Sequence, residues 1–207
     1  MEEAVICNHV MLRGVLSEPP RFSHETLGER FDRFSLEVRR LSGAADTVHI
    51  IARRTLLGAL EPGGGEKLCV CGELRSFNNK SGVGARLVIS VFARELWLDD
   101  GEDENTVALR GVLCRRPNYR VTPMGREICD LMLAVRRRYG RSDYLPCIAW
   151  GAGAREAAEW SVGSGVSLSG RLQSRAYQKI IDGEPVEKTA YEVSVIRIAP
   201  IQAAGLF

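Results

Sequence analysis

The sequence predicts an all-β chain folded as two tandem five-stranded barrels, each with a short capping helix. Three observations carry that prediction. The chain repeats itself, its apolar residues alternate with polar ones in runs of strand length, and a charged break separates the two copies.

The repeat appears at a displacement of 97 residues, where Asn8-His9-Val10-Met11-Leu12-Arg13-Gly14-Val15-Leu16 lies on Asn105-Thr106-Val107-Ala108-Leu109-Arg110-Gly111-Val112-Leu113 with seven of nine identical. The same displacement superposes Gly28 on Gly125, Leu36 and Val38 on Leu133 and Val135, Arg39-Arg40 on Arg136-Arg137, and Ile51-Ala52 on Ile148-Ala149. One extra residue then brings Gly72-Glu73-Leu74 onto Gly170-Arg171-Leu172. The domains are therefore placed at 1–98 and 105–207, with the acidic stretch 99–104 read as a linker that stays unpacked and keeps the barrels apart.

In the second copy the strands are expected at Thr106 to Leu113, Glu127 to Arg138, Tyr144 to Trp150, Val166 to Ser174 and Tyr191 to Ile198. Thr122-Pro123-Met124-Gly125 suits a hairpin turn, because proline presets one torsion angle and glycine accepts a positive one. Asp182-Gly183 marks a second hairpin. Between the third and fourth strands the alanine-rich segment from Ala152 to Trp160 has helix length, and the first copy carries a shorter piece, Thr55 to Leu60, before Gly63-Gly64-Gly65. Three strands, a helix and two strands is the order of an OB-fold.

Composition excludes several classes. No apolar run approaches the roughly 20 residues needed to span a bilayer, and the acidic start Met1-Glu2-Glu3-Ala4 is no secretory or mitochondrial signal, so a cytosolic, nucleoid-associated location is expected. Cys7, Cys69, Cys71, Cys114, Cys129 and Cys147 are read as reduced, mostly buried strand residues. Cys69-Val70-Cys71 lacks the partners of a metal site, and His9, His24 and His49 are given no chemistry. No catalytic constellation appears at a recognisable spacing, so neither an enzyme nor a cofactor or metal is expected. Asp46 and Asp143 hold matching turn positions, which suits structural aspartates.

Charge divides the copies. Residues 1–98 carry a net +1 and residues 105–207 a net +6, so the positive field, which attracts polyanions, belongs to the second copy. Aromatics lie among those charges: Tyr139 follows Arg136-Arg137-Arg138, Tyr144 opens the third strand and Trp150 closes it, and Tyr177 follows Arg171 and Arg175. Tyr144 and Trp150 share strand parity and so one face. Aromatic platforms flanked by basic side chains grip single strands.

The second copy resembles the bacterial single-stranded DNA-binding proteins. The likeness rests on Asn105 to Gly111 as their opening strand, on the turn Thr122 to Gly125, and on Leu133 to Tyr139, Asp143 to Gly151 and Gly170 to Tyr177 in order. It implies sequence-nonspecific binding of single-stranded DNA in replication, recombination or repair. Tyr139, Tyr144, Trp150 and Tyr177 would stack on bases, with Arg136, Arg137, Arg138, Arg171, Arg175 and Lys179 on phosphates. It also implies a homodimer, since that family builds four-barrel units and this chain carries two barrels.

The first copy departs from the pattern, with Ser42, Thr47 and Arg53 at the places of Tyr139, Tyr144 and Trp150. Its weaker candidates are Arg53, Arg75, Phe77 and Lys80. The family's acidic C-terminal tail, which recruits replication and repair proteins, has no counterpart in the closing residues Ile201 to Phe207. The competing expectation is a tandem-OB protein–protein adaptor of a primosome or mobile-element replication system, with minor DNA contact.

Overall fold

The computed structural model describes residues 8–58, 60, 62–79, 87–137, 140–181 and 184–202, apart from the side chains of Lys179, Ile181 and Lys188. The first copy runs β1 (Asn8–Leu16), β2 (Arg21–Thr26), β3 (Glu29–Arg39), β4 (Ala45–Arg53), α1 (Arg54–Leu57), β5 (Lys67–Asn78) and β6 (Leu87–Leu98). The second runs β7 (Glu104–Leu113), β8 (Asn118–Val121), β9 (Glu127–Arg136), β10 (Ser142–Trp150), α2 (Gly151–Ala158), β11 (Gly165–Ile181) and β12 (Glu184–Ile201). Both are OB-fold barrels, with strand order β2-β3-β4-β6-β5-β1 in the first and β8-β9-β10-β12-β11-β7 in the second.

The repeat extends to the pairing register. Val15 and Leu16 of β1 meet Glu37 and Leu36 of β3 and close the first barrel; Val112 and Leu113 of β7 meet Ala134 and Leu133 of β9 and close the second. Closure explains why the repeat preserves glycine. A Cβ on Gly14 would be driven into the carbonyl oxygen of Glu37, and one on Gly111 into that of Ala134. Gly72 and Gly170 stand equally close to the carbonyls of Phe92 and Ser194.

Alternation builds each core. Inward residues such as Leu12, Leu36, Val48, Ile50, Leu68 and Leu74 in the first copy, and Leu109, Leu133, Leu145 and Cys147 in the second, lose essentially all solvent contact. Burial pushes the Cys69 thiol up to about 11 and holds that of Cys147 well above its ordinary value, which suits the inert role expected of them. Cys7 lies outside the described residues.

The buried aspartates are structural, but as ion-pair partners across a hairpin. Arg40 donates through Nε to Asp46 Oδ2 at 2.7 Å, and Arg137 to Asp143 Oδ2 at 2.7 Å, while the amides of Arg40 and Arg137 close the turns onto Ala44 and Arg141. Asp32, equally buried, is held by Arg54 at 2.9 Å.

Several boundaries differ from expectation. β8 was not anticipated, because its four residues are all exposed and show no alternation. α1 and α2 begin one residue earlier than expected and stop sooner, α2 at Ala158 and α1 at Leu57. β11 runs to Ile181, well past the expected Ser174, and β12 begins at Glu184, well before Tyr191, so the two strands extend into a long arm; the hairpin expected at Asp182-Gly183 lies outside the described residues.

Packing divides the chain differently from the repeat: one compact unit comprises Val10–Asn105 with Leu172–Tyr191, the other Thr106–Arg171 with the segment from Glu192 on. Within the first, Ser174 donates its amide to Asp46 Oδ1 at 2.9 Å, Leu172 donates to Asn105 Oδ1 at 2.9 Å, and the Tyr191 hydroxyl lies 2.8 Å from His49 Nε2. The acidic stretch is also packed there, contrary to its reading as a free linker. Asp99 pairs with Arg13 at 3.0 Å, Asp103 pairs with Lys67 at 2.6 Å, and Asp103 accepts the Arg39 amide at 2.7 Å. Arg13 also pairs with Glu104 at 3.4 Å, so the charged segment engages two cations of the first barrel.

Candidate nucleic-acid interface

In the unit containing β9 and β10, the pleat sends Asp143, Leu145, Cys147 and Ala149 into the core and leaves Tyr144 and Trp150 outside, 50% and 38% exposed. Two aromatics on one strand face, each with about half or more of its area covered, are held yet available. Beneath them the floor is apolar: Tyr144 lies opposite Ala134 of β9 and Trp150 opposite Ile128. Trp150 is anchored at one end, its Nε1 donating to Ser194 Oγ of β12 at 3.2 Å. A ring fixed by its polar tip presents its π surface with little entropy left to lose on contact.

Around this pair the basic residues separate into two kinds. Arg136 is exposed at the end of β9. Arg137, expected on a phosphate, is engaged instead within the barrel: its guanidinium is bound in two places by the buried Asp143 and stays only partly exposed. Arg171 is half-buried on β11. Arg138 and Tyr139 lie outside the described residues, as does the side chain of Lys179. Tyr177 and Arg175 are on the arm and belong to the other compact unit, with the Arg175 guanidinium 6.0 Å from the Tyr177 ring centre. The structure thus groups Tyr144, Trp150 and Arg136 in one unit and places Tyr177 and Arg175 in the other.

Sequence reasoning missed Arg120 and Tyr119 on β8. Arg120 pairs with Asp130 at 2.8 Å, and the Tyr119 hydroxyl donates to Glu127 at 2.6 Å, so β8 borders the β9 face with a cation and an aromatic ring. A signal existed: at the repeat displacement Arg120 falls on Ser23, Arg115 on Glu18 and Arg126 on Glu29, a set of positive charges present only in the second copy.

On the first copy, Arg53 is paired with Glu29 at 2.9 Å and Arg75 with Glu73, so neither is an unengaged cation. Phe77 is 47% exposed, and Lys80 lies outside the described residues. Phe77 is among the residues lining a groove of about 640 Å³ that includes Thr47, His49 and Ile51 of β4.

The sequence profile of the single-strand binding protein family matches residues 104–200. Single-stranded DNA-binding protein 2 of Listeria innocua is 33% identical over 81 residues, which are 36% of this chain and 51% of that protein. Single-stranded DNA-binding protein B of Bacillus subtilis is 35% identical over 81 residues, 36% of this chain and 72% of that protein. The chain spans about half the length of the first curated relatives it matches. Both barrels are represented in the crystal structure of the wild-type single-stranded DNA binding protein from Thermus aquaticus, which superposes with a TM-score of 0.76 at 23% identity, over 94% of this chain and 93% of that one. With the profile lying over most of the second copy and the Bacillus subtilis protein covered across 72% of its length at 35% identity, the chain belongs to the single-strand binding protein family.

Proposed function

We propose that the chain binds single-stranded DNA without marked sequence preference, through the outer face of β9 and β10 in the second copy, as a non-catalytic protein of replication, recombination or repair. The observation that carries this reading is the placement of Tyr144 and Trp150, both exposed on one strand face of the more positively charged copy. Unstacked bases lie on such rings, whereas a duplex hides the faces of its bases. Arg136, together with Arg138, Tyr139, Arg171 and the arm residues Arg175, Tyr177 and Lys179, extends the path. The division of labour is 1–98 as the weaker copy and 105–207 as the binding copy.

Titration of labelled oligothymidine against the full chain, with duplex as competitor, tests this. Binding should quench tryptophan fluorescence, and Trp150→Ala should remove most of the quench although Trp97 and Trp160 remain. Equal affinity for duplex and single strand would sink the reading and favour a protein–protein adaptor. We further propose a homodimer of this two-barrel chain. Light scattering should then return twice the 22.8 kDa chain mass, and a single species at the chain mass would exclude it.

A further inference from the structure

The arm formed by the outer parts of β11 and β12 is sequence of the second copy, yet Leu172–Tyr191 packs as part of the unit that holds the first barrel. It is tied there near both of its ends. On β11, Ser174 donates its amide to Asp46 Oδ1 at 2.9 Å, and its hydroxyl accepts the Thr47 amide at 3.3 Å. Asn105 grips Leu172 as a neighbouring strand would, donating to its carbonyl at 2.7 Å and accepting its amide at 2.9 Å. On β12, the Tyr191 hydroxyl lies 2.8 Å from His49 Nε2, with the ring centres 5.3 Å apart. The other nitrogen of His49, Nδ1, lies 3.0 Å from Ser35 Oγ. Both ring nitrogens are thereby engaged, and the imidazole links β3 and β4 to the arm.

The bond between His49 and Tyr191 belongs to this arm alone. The first copy has its own strand pair, β5 and β6, and the registers of the two barrels correspond: Val91 of β6 faces Ile50 where Val193 of β12 faces Cys147. Counting back from those pairs puts Ile89 at the place of Tyr191, and the repeat puts Pro146 at the place of His49. Neither side chain can hydrogen-bond. The second barrel folds with Pro146 at that place, so the barrel itself does not require the link.

The arm's cargo gives the link a use. Arg175 and Tyr177 are two residues apart on β11 and so share a face, opposite in parity to Ser174, with the guanidinium 6.0 Å from the ring centre. The strand is held through one face while the other carries a cation and an aromatic ring. A two-stranded ribbon is marginal by itself, and tying down both of its strands removes orientational freedom that a ligand would otherwise have to remove on binding. We propose that His49 and Tyr191 are positioning residues for single-stranded DNA: they hold the second copy's arm on the first barrel so that Arg175 and Tyr177 meet the strand in a set geometry. The first copy then contributes to affinity through residues that do not touch DNA. The proposal rests on the single-strand reading above.

The test titrates labelled oligothymidine against the full chain. Tyr191→Phe, which removes one hydroxyl and keeps the ring, should weaken binding about fivefold, the size expected of one hydrogen bond. His49→Leu should match it, whereas His49→Gln, whose amide can still meet the Tyr191 hydroxyl, should stay within about twofold of the unaltered chain. A double-mutant comparison shows whether the effect passes through the arm. On an Arg175→Ala/Tyr177→Ala background, Tyr191→Phe should change affinity by less than about twofold, while on a Trp150→Ala background the loss of about fivefold should persist. An undiminished loss on the Arg175→Ala/Tyr177→Ala background, or no loss in Tyr191→Phe alone, overturns the proposal and leaves the single-strand reading intact. Failure of the unaltered chain to bind oligothymidine overturns both. Thermal melts check that each variant is folded, and if His49→Leu is not, Tyr191→Phe decides.

Discussion

Asp143 and Asp46 have no solvent exposure, and each remains compatible with folding because an arginine six residues earlier reaches it across a hairpin. Removing one partner of such a pair strands a buried charge, so Asp143→Ala should destabilise the chain by on the order of 3 kcal/mol in chemical denaturation. Arg136→Ala, at the exposed neighbouring position, should change stability by no more than about 0.5 kcal/mol. Equal losses from the two would contradict the division of the arginine run into structural and surface members. That division was not visible in the sequence, which reads Arg136, Arg137 and Arg138 alike. Both arginines of Arg39-Arg40 repeat as Arg136-Arg137, so the repeat alone does not separate them, and the pairing of Arg40 with Asp46 and of Arg137 with Asp143 does; Tyr144 and Trp150, by contrast, stand where the first copy has Thr47 and Arg53. His49 offers a second test. Desolvation by the strands around it, and next the charge of Arg33, push its imidazole pKa below the ordinary value of about 6.5. Its neutral form is therefore favoured by folding, and stability should be full above that value and fall as pH drops through it. His49→Gln should flatten this slope in thermal melts followed across that range, and an unaltered slope would assign the effect to another group.

At the scale of elements, the acidic segment behaves as part of a barrel. Asp103 is partly desolvated, which works against its charge, but the ion pair with Lys67 and the amide of Arg39 together hold its pKa below the ordinary carboxylate range. A depressed carboxylate contributes stability that is present above its unfolded pKa and lost as pH falls through the folded one. Asp103→Asn should accordingly lower the melting midpoint near neutral pH and lose that advantage in acid, with wild type and variant converging below about pH 3. A constant difference across the range would rule the ion pair out. The sequence made this segment look unpacked because six consecutive charged or glycine residues have no apolar face, and their partners, Arg13, Lys67 and Arg39, lie far away in the chain. Strands β1, β3, β4, β7, β9 and β10 were legible because each has one face in a core, which imposes alternation. β8 and the outer parts of β11 and β12 were not, since strands exposed on both sides leave no period to read. The same limit hid the groove: its members come from the β1–β2 loop and from β2, β3, β4, β5 and β6, and no local spacing joins them.

Over the whole molecule, a net charge of only +2 conceals an uneven field. The second copy has gained arginines at 115, 120 and 126, where the first has Glu18, Ser23 and Glu29, while five acidic residues are gathered between 99 and 104 and partly engaged by Arg13 and Lys67. A polyanion therefore meets its positive charge on the second copy. Binding that neutralises phosphates releases condensed counterions, so the logarithm of the association constant should fall linearly with the logarithm of salt concentration, with a slope of about −0.7 per phosphate contacted on a single strand. Stacking contributes no counterion release. Arg136→Ala should therefore shallow the slope by about 0.7, whereas Trp150→Ala should lower affinity by about 1–3 kcal/mol at every salt concentration and leave the slope unchanged. The two variants separate the electrostatic and the stacking parts of one surface in a single set of titrations. If Trp150→Ala shallowed the slope as much as Arg136→Ala did, the ring would be acting by positioning cations, and the aromatic face would not be the platform on which bases rest.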